Sequence, residues 1–236
     1  MATKILRNKN SFIVFDDSLE NVNEDVFDFY NKNQEKEIIR KGAGRGTVLL
    51  FRHGSMELVH KSYRRGGLAG KIVSDKYLWT GLNKTRSFKE FFALKNMREE
   101  DLPVPRPIAA RVIRHIYYYR AELITEKIDN ANTLGEHLEK GTITTEIAKD
   151  TGTAIRSFHN HGFKHPDLNV ENIVITNGGK IFLLDFDKAK PRKKKIQDSS
   201  DINRLRRSIT KVSIKKGKVF PSQAWKKLTE AYAIPK

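Results

Sequence analysis

His165-Pro166-Asp167-Leu168-Asn169-Val170-Glu171-Asn172, with Leu183-Leu184-Asp185-Phe186-Asp187 a short interval later, is the stretch on which the reading of this chain turns. Asn172 follows Asp167 by five positions, and Asp185 follows Asn172 by thirteen. Phosphoryl transfer asks for this order, because its loose transition state needs positioning and charge neutralisation more than covalent help. Asp167 is the candidate to orient an attacking hydroxyl and accept its proton, and Asn172 and Asp185 are the candidates to hold Mg2+ against nucleotide phosphates. The residues between them supply a frame. Ile173-Val174-Ile175 is an apolar, β-branched run that reads as a buried strand, Asn177-Gly178-Gly179 reads as a hairpin turn, and Lys180 to Leu184 reads as the returning strand. Asp185 therefore falls at the end of the hairpin's second strand. The competing reading is an ordinary hairpin flanked by two acids, with Asn172 capping a turn.

Composition bounds the rest. A chain of 236 residues is long enough to bury a real core, here expected as one two-lobed unit. Having no cysteine, it holds neither disulfides nor thiolate metal sites, which fits a reducing compartment. No stretch resembles a signal peptide, and no apolar run approaches the roughly 20 residues of a membrane-spanning helix, so the expectation is a soluble or peripheral protein. The 45 Lys and Arg against 28 Asp and Glu give a net charge of +17. Thirteen of the basic residues and only two acids, Asp198 and Asp201, lie between Lys188 and Lys218. Nucleic acid, an anionic membrane or a phosphorylated substrate would each suit that charge, and its sign does not choose among them.

Upstream, Ser11 to Phe15 reads as a strand and Val26 to Tyr30 as a short helix. Gly42-Ala43-Gly44-Arg45-Gly46 then enters the strand Thr47 to Phe51, and glycines let backbone N–H groups approach phosphates closely. The spacing is G-x-G-x-G rather than G-x-G-x-x-G, so a plain hairpin turn competes for Gly42, Gly44 and Gly46. Lys61, on the strand Glu57 to Lys61, is the candidate to neutralise α- and β-phosphates, against a solvated edge lysine. Tyr63-Arg64-Arg65-Gly66-Gly67 follows as a basic turn. Ser87 to Met97 reads as an amphipathic helix carrying Glu90, which either pairs with Lys61 or closes a Ser87-x-x-Glu90 capping box.

The prolines at 103, 105 and 107 extend the chain after that helix. Two strands follow, Arg111 to Ile113 and Tyr117 to Glu126; by order along the chain, adenine would meet backbone near Glu122 to Thr125. The tyrosine run lacks basic interleaving and reads as strand packing. A helix from Thr145 to His161, ended by Gly162, is expected under the catalytic loop. His159 and His161 are two apart and do not share a helical face, so solvated or capping roles are expected rather than zinc ligation.

Gly44-Arg45-Gly46-Thr47-Val48, Tyr63-Arg64-Arg65-Gly66-Gly67-Leu68, Arg86-Ser87-Phe88-Lys89-Glu90-Phe91, Leu102-Pro103-Val104-Pro105-Arg106-Pro107, His165-Pro166-Asp167-Leu168-Asn169, Asp185-Phe186-Asp187-Lys188 and Asn203-Arg204-Leu205-Arg206-Arg207-Ser208 together resemble the lipopolysaccharide kinases. The likeness is greatest to the 3-deoxy-D-manno-octulosonic acid (Kdo) kinases of the protein-kinase-like superfamily, and it spans roughly residues 40 to 210. It implies an α+β, bilobal fold with a small β-rich N-terminal lobe over residues 1–126. A larger helical C-terminal lobe with the catalytic hairpin takes residues 127–236. It further implies ATP as donor, Mg2+ as cofactor, and a Kdo hydroxyl, expected to be the 4-OH, on a lipid A precursor as acceptor. The place implied is the cytoplasmic face of a Gram-negative inner membrane, with the protein peripheral and no nucleic acid as partner.

Pro166 stands where protein kinases place Arg, Asp187 replaces the last residue of Asp-Phe-Gly, and no Ala-Pro-Glu follows, which argues against control by an activation loop. The basic stretch then has a use. Lys and Arg beside an anionic surface contribute about 1 kcal/mol each. Leu205, Ile209 and Val212 set among them would give one helix an apolar stripe, against the alternative of a solvated basic helix packed on the C-terminal lobe. Other classes remain: a kinase of the same fold acting on a heptose, an aminoglycoside or a protein, or a nucleic-acid binder with a decayed core. The intact Asp167, Asn172 and Asp185 speak against decay.

Overall fold

Short apolar runs broken by tight turns dominate the first half of the chain, and they form a sheet. The structure, a computed structural model, describes residues 3–16, 24–27, 38–41, 48–63, 75–187, 189, 196 and 198–233. The glycine-rich segment 42–46, the turn residues 64–67, residues 28–30 of the expected early helix and the basic run 192–195 lie outside the described residues. The strands are β1 (Thr3–Asn8), β2 (Ser11–Asp16), β3 (Ile38–Lys41), β4 (Val48–His53), β5 (Met56–Ser62), β6 (Tyr77–Leu78), β7 (Pro107–Arg114) and β8 (Tyr118–Glu126). They pair antiparallel in the order β1-β2-β7-β8-β5-β4-β3, with β6 on β8. Gly54 supplies the positive φ that closes the β4–β5 turn.

A short 3-10 helix at Glu24–Phe27 delivers Val26 and Phe27 into a core with Ile13, Phe15, Phe51, Leu58, Ile108 and Ile124. Helix α1 (Arg86–Glu99) buries Phe88, Phe91, Leu94 and Met97 along one face, the spacing of a 3.6-residue period.

The remaining elements are β9 (Ala131–Thr133), α2 (Leu134–Lys140), α3 (Thr145–Asn160), β10 (Ile173–Thr176), β11 (Ile181–Leu183), α4 (Ser200–Lys216) and α5 (Ser222–Ala233). β11, β10 and β9 form a small antiparallel sheet. Its hairpin turns at Gly179, whose φ is 79°. Helix starts follow local chemistry. Thr133 and Glu136 exchange hydrogen bonds in a reciprocal capping box, and Thr144 Oγ1 accepts from the Ile147 N–H at 3.1 Å.

The chain divides into two compact units: residues 1–95 with 106–127, which is β-rich, and residues 96–105 with 128–236, which is mainly helical. The fold is therefore the α+β arrangement that the resemblance implies. The proline segment is divided: residues 102–105 fall in the second unit and residues 106–107 in the first. Leu102 and Val104 are buried, and the Pro103 carbonyl accepts from the Leu183 N–H at 3.1 Å.

Two helical faces are fixed by packing. Leu205 and Ile209 of α4 are buried in the protein rather than forming an outward stripe, and Val212 is half-buried. Helices α3 and α5 meet at backbone contact: a Cβ on Gly152 would overlap the Leu228 carbonyl oxygen and lie 3.0 Å from its carbon. Gly152→Ala is expected to lower stability by about 2 kcal/mol through overpacking, read as a shifted urea midpoint. An unchanged midpoint would contradict the close approach.

Candidate active site

His165 organises the catalytic loop with both of its ring nitrogens. Nδ1 accepts from the Asp167 backbone N–H at 3.1 Å, so the proton sits on Nε2, which donates to the Leu184 carbonyl at 2.6 Å. That single tautomer ties the residue before Asp185 to Asp167 itself. His165 is buried, and desolvation holds its pKa below the ordinary histidine value, although the Leu184 carbonyl and nearby carboxylates work the other way. Its backbone is also held: the N–H donates to Asp201 Oδ2 at 2.9 Å, and the carbonyl accepts from Arg204 Nη1 at 3.1 Å.

The loop's other polar atoms close on the Asp167 carbonyl, which accepts from Asn172 Nδ2 at 2.9 Å and from Asn169 Nδ2 at 3.0 Å. Asn169 Oδ1 takes the Glu171 N–H at 2.9 Å, a local Asx turn. Leu168 and Val170 are buried and pin the loop from beneath, while Ser208 Oγ accepts from the Val170 N–H at 3.2 Å. Asp167 is exposed. Its backbone is fixed on every side and its carboxylate is presented at the surface.

Asn172 also accepts from the Leu184 N–H through its backbone carbonyl at 2.9 Å, which brings it beside Asp185. Asp185 has φ 67°, a left-handed conformation that Asp tolerates better than most residues. The bend sends Phe186 inward, where it stacks on Phe158 at 5.5 Å and meets the His165 ring at 4.6 Å. An amide oxygen and a carboxylate form a hard-oxygen pair that suits Mg2+, an ion that takes few protein ligands and completes its shell with water and phosphate. Among the described residues no cluster of three or more His, Cys, Asp or Glu gathers to hold a metal.

In the first unit, Lys61 Nζ donates to Glu90 Oε2 at 3.0 Å and to Oε1 at 3.3 Å. Glu90 is 3% exposed and also accepts from the Tyr63 hydroxyl. Of the two roles open to Glu90, the structure forms the ion pair. Ser87 lies inside α1 and donates to the Arg111 carbonyl at 3.1 Å, so no capping box is made there. On the neighbouring strand, Glu122 is half-buried. Desolvation raises its pKa, but the His60 hydrogen bond and the Arg111 charge outweigh it and leave the carboxyl below its usual value. Strand β8 lies between β5 and β7, so the backbone of 122–125 is occupied by sheet pairing and is not open to adenine as expected.

Sequence reasoning missed the support of the loop. Asp201, fully buried, accepts from His165 and lies 3.0 Å from His159 Nε2, with the Arg204 guanidinium 3.6 Å from its other oxygen. His159 is buried, not solvated or capping; its Nδ1 is 3.0 Å from the Tyr232 hydroxyl, which donates to the Asp198 carbonyl. The available signal was Asp201 itself, one of two acids in a basic stretch and three residues before Arg204. His161 does cap, bonding the Ser157 carbonyl at 2.8 Å.

The chain is similar to known proteins over most of its length. The model of the lipopolysaccharide kinase (Kdo/WaaP) family matches residues 30–232. A 3-deoxy-D-manno-octulosonic acid kinase of Vibrio cholerae is 37% identical over 206 residues, covering 86% of this chain and 87% of its own. Similar proteins with that name occur in Photobacterium profundum, 34% identical with 89% of each chain covered, and in Haemophilus influenzae, 36% identical with 87% of this chain and 88% of the relative covered.

Two measurements test this wiring. The depressed pKa of His165 means that the unfolded chain binds a proton the folded chain refuses, so its contribution is complete above the unfolded value of about 6.5 and is lost as pH falls below it. Denaturation at descending pH should show that loss, and His165→Gln should flatten the slope; an equal slope in the variant would refute it. Lys61→Met strands a buried carboxylate and should cost about 3 kcal/mol, most of it regained in Lys61→Met/Glu90→Leu.

Proposed function

We propose, from the premise that this chain belongs to the lipopolysaccharide kinase (Kdo/WaaP) family, that it transfers the γ-phosphoryl group of ATP to a hydroxyl of Kdo on a lipid A precursor. The 4-hydroxyl is the proposed acceptor. The observation that carries this reading is the catalytic loop: an exposed carboxylate at Asp167 on a backbone immobilised by His165, Asn169 and Asn172. Such a loop is built to hold one oxygen nucleophile in line, which is most of what phosphoryl transfer requires.

In this mechanism Asp167 orients the sugar hydroxyl and takes its proton as the bond to phosphorus forms and the bond to the ADP oxygen breaks. Lys61, kept extended by Glu90 and Tyr63, meets the α- and β-phosphates as a point charge. Gly42, Gly44 and Gly46 are proposed from the sequence to offer backbone N–H groups to the same phosphates. Asn172 and Asp185 would hold Mg2+, which when bound neutralises charge on the transferring group.

The acceptor's phosphates and the Kdo carboxylate suit a chain of net charge +17. No helix among the described residues is long and apolar enough to cross a membrane. We therefore place the protein peripherally at the cytoplasmic face of the inner membrane, where the glycolipid precursor is offered.

Purified protein should phosphorylate a Kdo-bearing lipid A precursor in an ATP-dependent assay and leave a Kdo-free control unmodified. Asp167→Ala should lose about 100-fold or more in turnover while retaining ATP binding, and Asp185→Ala should lose Mg2+-dependent nucleotide binding as well. Equal turnover on the Kdo-free control would overturn the acceptor, and full activity of the Asp167 variant would overturn the mechanism.

A further inference from the structure

Helix α4 divides its labour along its length. Its first half serves the protein: Asp201 and Arg204 hold His165, Ser208 holds Val170, and Leu205 and Ile209 are buried. Its last turn and the bend after it behave otherwise. Ile214 is 79% exposed and Val219 86% exposed, on either side of Gly217, whose φ of 61° reverses the chain into Phe220 and α5. Single exposed aliphatic side chains are ordinary; two of them beside an apolar groove are informative. They border a groove of about 570 Å³ lined by Ile209, Phe220 and Trp225.

The surroundings are cationic. Between Asp201 and Glu230 the chain carries nine Lys or Arg and no acid. Lys216 is paired with Glu139 and Lys227 with Glu230. Arg207, Lys211, Lys215 and Lys218 are exposed, and Arg206 lies over the Trp225 ring at 5.9 Å.

One kind of partner answers both features. A nucleic acid would satisfy the charge but offers nothing to aliphatic tips, since its single strands reward exposed aromatic faces and its duplexes reward polar ones. An anionic bilayer offers lipid phosphates to the lysines and, a few ångströms deeper, acyl chain to Ile214 and Val219. We infer that the α4–α5 bend is the surface by which this protein docks on an anionic membrane. Ile214 and Val219 enter the headgroup boundary, and Lys211, Lys215 and Lys218 rest on lipid phosphates. The inference deepens the peripheral placement proposed above and does not depend on the sugar acceptor. It also has a geometric corollary: Ser208, which holds the catalytic loop, is six residues before Ile214 on one helix, or about 9 Å.

The test is sedimentation of the full chain with vesicles of phosphatidylcholine and phosphatidylglycerol against pure phosphatidylcholine, at low and moderate salt. Wild type should partition onto the anionic vesicles and be released by salt. Ile214→Ser/Val219→Ser should weaken partition roughly tenfold at either salt. Lys215→Glu/Lys218→Glu should weaken it further and abolish the salt dependence, whereas the charge-matched Lys84→Glu/Lys149→Glu should partition as the wild type does. The first two variants should keep wild-type melting and wild-type activity on a detergent-dispersed acceptor.

Wild-type partition by both bend variants would overturn the inference, as would binding to duplex DNA without partition onto vesicles. A protein that docks through this bend yet treats Kdo-bearing and Kdo-free acceptors alike would keep the docking surface and sink the acceptor.

Discussion

A carboxylate taken fully out of water must be answered on the spot, and Asp201 is the carboxylate on which this catalytic unit is assembled. Its answers come from three places in the chain: the backbone of His165, the ring of His159 on α3, and the guanidinium of Arg204 one turn further along α4. His159 in turn reaches Tyr232 on α5. Removing any partner leaves part of the charge uncompensated in a low-dielectric setting, where interactions are strong in both directions. The loop is consequently rigid because of a charge it does not itself contain.

What was legible in the sequence was local. The hairpin from Ile173 to Leu183 announces itself through β-branched residues and an Asn-Gly-Gly turn, and the order Asp167, Asn172, Asp185 follows from contiguous chain. The strands and helices around them are likewise read from period. What escaped was long-range pairing. Asp201 is 36 residues from the backbone it supports, and Tyr232 is 73 from the ring it bonds; no spacing rule connects such positions. The stripe of Leu205, Ile209 and Val212 shows the same limit from the other side. Helical period identifies an apolar face but not what covers it, and here protein covers most of it. Glu90 had two satisfactory local readings, and tertiary structure chose the distant lysine over the near serine.

The two halves of the chemistry are buttressed in different ways. Lys61 is held by a carboxylate that is almost wholly buried, and that carboxylate has a second donor in Tyr63, whose ring also lies 4.8 Å from the lysine nitrogen. The lysine is thereby extended and its charge kept in place. Around Asp167 itself the loop uses neutral hydrogen bonds, with His165, Asn169 and Asn172, while the charged Asp201 and Arg204 hold it only through the backbone of His165, and the Asp167 carboxylate is left exposed.

The hydrogen bonds of His165 also fix where protons can travel. One ring nitrogen already accepts from Asp167's own N–H and the other already donates to Leu184, so the imidazole beside Asp167 has no vacant lone pair to receive a proton from that carboxylate. There is no relay through this ring into the protein interior. In the proposed mechanism a proton lifted from the acceptor would therefore leave the exposed Asp167 carboxylate straight into bulk water, and the solvent, not a neighbouring side chain, would be the sink that resets the enzyme after each turnover.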